Sequence, residues 1–278
     1  MKFDHFIYSN TIRAFFVLCF ASFLGLASVS AQDTPPIDTD EQEQKDETEE
    51  RKEGKEINIP GHHEKGRLFT NWLGLSAGIN GYASGGRLNL PNSLDQLELR
   101  YGRSLEWNLH LLNQRLDLHK KRFVLEYGLD LNFNIYSFVN NISLKPGEEE
   151  VTIIEENLDF KRNKLRTTSL NVPLLLTFVS KKGPNDNVFH FSAGAYGSVL
   201  LGAKQKLKIK DGEKRKVRDD FNLNAFNYGL TARIGGGPVT FYAKYSLTSL
   251  FKENQGPNLI PFSFGIVILD NSYSDYVK

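Results

Sequence analysis

The chain has one cysteine and few long apolar runs, and both features restrict the classes of protein and of site that it can form. Its single cysteine, Cys19, lies in an N-terminal apolar segment that is expected to be removed, which would leave the mature chain without disulfides, thiolate chemistry or sulfur ligands for zinc. Beyond that segment no run of about 18 consecutive apolar residues occurs, so no transmembrane helix is predicted in the mature protein.

The N-terminal region has the order of features found in a secretory signal peptide. Lys2 and Arg13 precede the apolar run AFFVLCFASFLGL, and a stretch of small residues ends at Ala31. Cleavage is expected after Ala31, which assigns residues 1–31 to an export signal. A membrane anchor is the alternative, although the run is shorter than the roughly 20 residues needed to cross a bilayer.

A strongly acidic segment follows. Residues 33–56 contain eleven acidic and four basic side chains, and no aromatic residue. Such a composition cannot bury enough apolar surface to offset the entropy lost on ordering. We therefore expect residues 32–66 to form a disordered periplasmic linker, in which His62 and His63 are solvated rather than metal-bound.

The remainder, residues 67–278, repeats segments of alternating apolar and polar side chains. From Phe123 to Ile135 every second residue is apolar, and the residues between include Glu126 and Asp130. Successive side chains of a strand point to opposite faces, so the segment predicts one apolar and one polar face. Seven further segments are predicted strands: about 71–82, 97–111, 165–178, 188–201, 226–234, 239–245 and 261–269.

Residues 104–118 are ambiguous between strand and helix. Leu105, Leu109, Leu112 and Leu116 recur at helical spacing, whereas a two-residue alternation runs as far as Leu111. Strand is favoured because the neighbouring segments are strands.

The predicted connections alternate strictly between short and long, which is typical of outer-membrane barrels with short periplasmic turns and long external loops. The predicted fold is all-β: an eight-stranded antiparallel up-and-down transmembrane β-barrel with a disordered N-terminal arm, placed in a Gram-negative outer membrane.

Three segments, LRTTSLNVPLLLTF (165–178), SAGAYGSVLLG (192–202) and PFSFGI (261–266), resemble the PorT-like outer-membrane β-barrel family of Bacteroidota. The resemblance covers about residues 70–269 and implies an eight-stranded barrel without an assigned activity. The member that names the family acts in a secretion system. The chain departs from the usual barrel ending, because residues 270–278 follow the last predicted strand.

An eight-stranded barrel is just wide enough for side chains to fill its interior. Buried charges are costly unless paired, so the interior candidates are expected to form a lumen charge network. They are Glu106, Glu126, Asp130, Arg233 and Lys244. No catalytic, cofactor-binding or metal site is expected, because the barrel histidines His110, His119 and His190 have no Ser or Asp at a motif spacing.

A basic loop surrounds the turn sequence Asp211-Gly212. Its residues are Lys204, Lys206, Lys208, Lys210, Lys214, Arg215, Lys216 and Arg218. The loop is a candidate docking surface for lipopolysaccharide phosphates, acidic glycans or an acidic protein partner. The alternatives are a solvated hairpin, whose lysines protect a strand edge, and internal pairing with the acidic run Glu148–Glu150.

These features predict a non-enzymatic protein in contact with outer-membrane lipid, with a structural or partner-binding role carried by its external loops. A secretion-system accessory is one version of that role, and a narrow channel is a further alternative. The rival from another class is a soluble periplasmic lipocalin-like carrier of a small apolar ligand. In the carrier the following side chains would line a cavity instead of facing lipid: Phe123, Tyr127, Leu131, Leu174, Phe191 and Phe241. No cofactor or nucleic-acid partner is expected.

Overall fold

The computed structural model describes residues 64–65, 68–88, 90–183, 187–210, 212–237 and 239–269. The expected signal peptide, most of the acidic linker with His62 and His63, the turn residue Asp211 and the tail 270–278 lie outside the described residues. Within them, antiparallel strands dominate the structure.

Eight strands form a closed ring. They are β1 (Leu68–Ala83), β2 (Leu105–His119), β3 (Phe123–Ser137), β4 (Phe160–Val179), β5 (Phe189–Ile209), β6 (Phe226–Gly236), β7 (Val239–Ser246) and β8 (Ile260–Leu269). Each strand pairs with the next along the chain, and β1 pairs with β8 as well as with β2, which closes the sheet. The predicted eight-stranded antiparallel up-and-down barrel is confirmed.

The remaining elements lie in the connections or extend a strand. Two short 3₁₀ helices, Asn92–Leu97 and Tyr101–Arg103, separate β1 from β2, so the strand predicted to begin at 97 begins instead at Leu105. Two short strands, Ile142–Leu144 and Ile153–Glu155, pair within the β3–β4 connection. The strand Lys214–Arg218 pairs with β5, and Glu64–Lys65 pairs with the start of β1. Across the described ranges, no helix has the length and apolar character needed to span a bilayer.

The connections alternate as predicted. Short ones join β2 to β3, β4 to β5 and β6 to β7, and the other four are long. By the rule for outer-membrane barrels the short turns are periplasmic and the long loops external. The end of the barrel that carries the long loops is called the external end below.

A bulge in β2 explains why its sequence resembles a helix. His110 pairs with Asp130 and Leu112 pairs with Leu129, which leaves Leu111 as the extra residue. The side-chain alternation changes phase there. Leu105 and Leu109 before the bulge therefore lie on the same face as Leu112 and Leu116 after it, and the ambiguous segment is a strand.

The outward face of the barrel is apolar and its inward face is polar. Four of the side chains that distinguish a membrane barrel from a carrier, Phe123, Leu174, Phe191 and Phe241, are 44–56% exposed. Tyr127 and Leu131 lie half-buried on the same outward face. We call the exposed apolar side chains on this face the outer belt; its members on β4, β5 and β7 are Val172, Leu174, Leu176, Phe178, Phe189, Phe191, Leu201, Val239, Phe241 and Tyr245. The carrier alternative gains no support from this arrangement, because its cavity-lining residues are on the outside.

Two apolar clusters lie at opposite ends of the polar interior. The external cluster joins strand ends to the long loops and consists of Tyr82, Leu97, Leu99, Tyr136, Phe138, Ile142, Leu144, Leu165, Phe221, Leu223, Leu250, Phe251 and Leu259. The smaller one, near the short turns, contains Phe69, Val124, Val179 and Val188. The interior is therefore enclosed by apolar side chains above and below.

If the outer belt faces lipid, a charged substitution within it should destabilise the barrel far more than the same substitution in an external loop. Leu174→Arg places a cation mid-way along the belt segment of β4 and should destabilise the barrel by about 2–4 kcal/mol. Leu158→Arg is the control, because Leu158 is also exposed (42%) but lies in the β3–β4 connection, where a substitution should stay within about 0.5 kcal/mol. Urea unfolding in phospholipid vesicles measures both. Equal costs at the two positions would contradict the lipid-facing assignment.

Candidate functional site

The centre of the interior is a hydrogen-bonded group around Glu106. Lys244 Nζ lies 3.1 Å from Glu106 Oε1, and Tyr242 donates its hydroxyl to Glu106 Oε2 at 2.9 Å. The amide of Asn132 donates to the same carboxylate at 2.6 Å, and Lys244 also donates to Asn108 Oδ1. The adjacent strands β2 and β3 supply Glu106, Asn108 and Asn132, and β7 supplies Tyr242 and Lys244. The carboxylate consequently lies beside one cation and accepts hydrogen bonds from the neutral side chains of Tyr242, Asn132 and Ser263.

A second group lies around Asp130. His110 Nδ1 is 2.8 Å from Asp130 Oδ1, and His110 Nε2 is 3.2 Å from the hydroxyl of Ser76. The order hydroxyl, imidazole, carboxylate is the one used by serine hydrolases. Here all three residues are buried, and the cavity beside His110 measures about 10 Å³, room for about one water molecule. A substrate has no access to Ser76 in this conformation.

The third group is centred on Glu126. Arg233 Nη1 lies 3.8 Å from Glu126 Oε2, and Thr177 donates to Glu126 Oε1 at 2.6 Å. Arg115, which is 2% exposed, lies on the neighbouring strand directly opposite Glu126. Arg115 was not predicted among the inward-facing residues, because only the bulge at Leu111 turns it inward. The contacts of His110 with Asp130 and Ser76 were not predicted either.

All five residues proposed for the lumen charge network lie inside the barrel, and each carboxylate contacts a basic side chain. The interior cavity beside two of them, Glu106 and Lys244, measures only about 70 Å³ and is lined mainly by Asn, Ser, Thr and Tyr. Among the described residues no group of three or more His, Cys, Asp or Glu could hold a metal ion. The interior is thus a packed polar core with room for a few water molecules.

The long loops form a folded cap over this core. Gln205, fully buried on β5, donates to the carbonyl of Ile142 and accepts from the amide of Leu144, so it ties the β3–β4 connection to the barrel. Lys252 Nζ donates to Asp220 at 2.8 Å, and this bond, together with the backbone N–H of Asn222, lowers the pKa of Asp220. The cap is held by specific bonds between loops as well as by the external apolar cluster.

The outward face beside the cap carries a dense group of cations. β4, β5 and the strand Lys214–Arg218 lie side by side, and their outward residues pair across the strands in three rows. We call these nine residues the cation array; its rows are Arg166–Lys204–Arg218, Lys164–Lys206–Lys216 and Arg162–Lys208–Lys214.

Six of the eight residues of the predicted basic loop belong to the cation array. The other two do not: Lys210 pairs with Asp159 at 3.3 Å, and Arg215 lies opposite Leu207 on the other face of the sheet. The three array members on β4 were missed because their register against β5 cannot be read from a single strand. Among the described residues no ion pair joins Glu148, Glu149 or Glu150 to the array, and Glu148 lies beside Lys145 instead.

These features define a class: a closed antiparallel barrel with an apolar exterior, a neutralised polar interior and long loops at one end is a transmembrane β-barrel of the outer-membrane type. A family model described as "Outer membrane protein beta-barrel domain" matches residues 112–253. The chain belongs to this family and is an outer-membrane protein. A search of curated proteins found no significant match.

The network around Glu106 predicts a large and coupled effect on stability. Glu106→Gln or Lys244→Met alone should cost about 3–5 kcal/mol, because each leaves a buried charge without its partner. The double substitution should cost clearly less than the sum of the two, which a double-mutant cycle from urea unfolding in vesicles measures.

The exposed pair Lys210 and Asp159 is the control for that cycle, since both side chains are at least 70% exposed. Lys210→Met with Asp159→Asn should show a coupling below about 1 kcal/mol. Additive losses at Glu106 and Lys244 would contradict the assignment of a coupled interior pair.

Proposed function

We propose that this protein is a non-enzymatic, non-conducting outer-membrane barrel whose role is structural or partner-binding and is carried by its external surface. The barrel anchors that surface, and the cap fixes its shape. The finer identity that we propose is a PorT-like protein of Bacteroidota exported by a cleaved signal peptide, with accessory work in a secretion system as one version of the role.

The contrast between the two faces of the sheet carries this proposal. Inside, the carboxylates of Glu106, Glu126 and Asp130 are each matched by a basic side chain, and apolar clusters enclose the space. Outside, the cation array is not matched by acidic side chains of the described residues. Charges available for a partner are therefore on the external surface and not in the lumen.

A catalytic role is disfavoured because a substrate cannot reach the residues that resemble a catalytic site. The one arrangement that resembles a catalytic triad, Ser76 with His110 and Asp130, is enclosed in the interior beside a cavity of about 10 Å³. A triad also needs donors aimed at a reacting carbonyl, and a substrate must fit between donors and nucleophile. We therefore interpret the three residues as structural.

The alternative of a soluble apolar-ligand carrier is weaker, because the interior cavity is small and mainly polar, whereas Phe123, Phe191 and Phe241 lie on the exterior.

Accessibility of engineered cysteines tests the external surface. The mature chain is expected to lack cysteine, so single variants can be labelled in intact cells with a membrane-impermeant maleimide. Lys145→Cys, in the β3–β4 connection and outside the cation array, should be labelled in intact cells, because this exposed residue lies at the external end.

Lys181→Cys is the matched control, an exposed lysine in the short connection after β4. It should be labelled only after the outer membrane is permeabilised. Labelling of Lys181→Cys but not Lys145→Cys in intact cells would reverse the orientation and overturn the proposed function.

A further inference from the structure

We infer that the cation array is a binding site for the phosphate groups of outer-leaflet glycolipids, the phosphorylated sugars of lipopolysaccharide. The inference rests on the proposed function for one thing only, the orientation that places the array at the cell surface. It adds the ligand class and the residues that recognise it.

The array brings like charges unusually close together. Strands lie about 4.8 Å apart and outward residues repeat about every 6.7 Å along a strand, so nine cations occupy a patch of roughly 10 by 13 Å. Like charges directly opposite each other on adjacent strands are destabilising. The charge of Arg166 accordingly lowers the pKa of Lys206, which lies beyond the outer belt. The arrangement is best stabilised by a polyanion.

No acidic side chain of the described residues forms an ion pair with a member of the array. The ion pairs of the neighbouring loops use other cations: Lys145, Lys210 and Lys252. The inward residues between the rows include Leu165, Gln205 and Leu207, all buried and uncharged. The positive charge is therefore presented outward.

Protection of a strand edge does not explain the array. Charged residues on an exposed edge prevent unwanted pairing between sheets, and that reason applies to the strand Lys214–Arg218. It does not apply to five of the six cations on β4 and β5: Lys164, Arg166, Lys204, Lys206 and Lys208. β4 is paired with β3 and β5, and β5 at Lys204–Lys208 is paired with β4 and Lys214–Arg218. Those five are paired on both sides, so protection of an edge does not account for their charge. Arg162, the sixth, lies beyond Lys164, which is the last residue of β4 paired with β3.

The position of the array selects lipid as the ligand. Strand β5 contains a bulge. Thr168 pairs with Gly202 and Ser169 pairs with Leu200, so Leu201 is the extra residue and the inward–outward alternation of side chains changes phase there. Because of it, Lys204, Lys206 and Lys208 continue the same outward face that carries Phe189 and Phe191 below. A molecule that contacts this face directly beyond the apolar belt lies in the headgroup layer. A protein partner would more readily meet the top of the cap.

Titration of diphosphoryl lipid A in detergent micelles tests the inference on the purified full-length protein. The triple variant Lys204→Gln, Lys206→Gln and Lys208→Gln removes the central strand of the array. At about 1 kcal/mol for each cation near an anionic surface, the affinity should fall about a hundredfold. Added salt should weaken binding by the unaltered protein, since exposed charges are screened.

Two further variants separate charge from folding. Replacing the same three lysines with arginine keeps the charge and should retain binding. Lys145→Gln, Lys210→Gln and Lys252→Gln remove the same charge from external loops but from cations that have acidic partners, and should leave the affinity within about threefold. Heat-modifiable gel migration of every variant verifies that the barrel is folded.

Equal lipid A affinity in the central Gln variant and the loop control would overturn the inference, as would tighter binding of soluble polyphosphate than of lipid A. Neither result depends on the orientation of the barrel in the membrane, because a detergent micelle does not separate an external from a periplasmic compartment. Reversed cysteine labelling would instead overturn the proposed function and leave the micelle result unchanged.

Discussion

The structure depends on one constraint: in hydrocarbon, a backbone N–H or C=O has no water to bond to, so every strand must have a partner on both sides. Pairing of β1 with β8 satisfies this constraint by closing the ring. Closure fixes two environments of opposite character. Outward side chains meet lipid and are apolar, whereas inward side chains meet one another in a space too narrow for bulk water. The buried carboxylates of Glu106, Glu126 and Asp130 accordingly each lie beside a basic side chain.

Bulges decide which residues enter each environment. Alternation sends every second side chain inward, and one extra residue reverses the phase for the rest of the strand. The bulge at Leu111 turns Arg115 towards Glu126, and the bulge at Leu201 turns Lys204, Lys206 and Lys208 outward. Without the second bulge these lysines would point under the cap, where Gln205 and Leu207 are now buried. The interior network and the cation array are therefore both consequences of register.

The strands and their faces were largely predictable because alternation is a local property. Residues 123–135 show it without interruption, and the predicted inward residues Glu126 and Asp130 are buried. The boundary before Leu105 was not predictable, since residues 97–103 form loop and 3₁₀ segments through contacts with distant strands, such as Tyr82 with the carbonyl of Leu97. The partners within the site also depend on register across strands: the β4 half of the array, and Ser76 beside His110, carry no local signal.

The central claim is that the barrel encloses a sealed, neutralised core and acts through its exterior. Planar-bilayer recording from the purified, folded protein tests it most directly. The account predicts no discrete current steps above the bilayer background at any applied voltage that the membrane withstands, because the interior cavity is only about 70 Å³ and apolar clusters enclose it. Reproducible unitary conductance, abolished by a bulky substitution at inward-facing Ser263 beside Glu106, would show a continuous wet lumen and contradict the account.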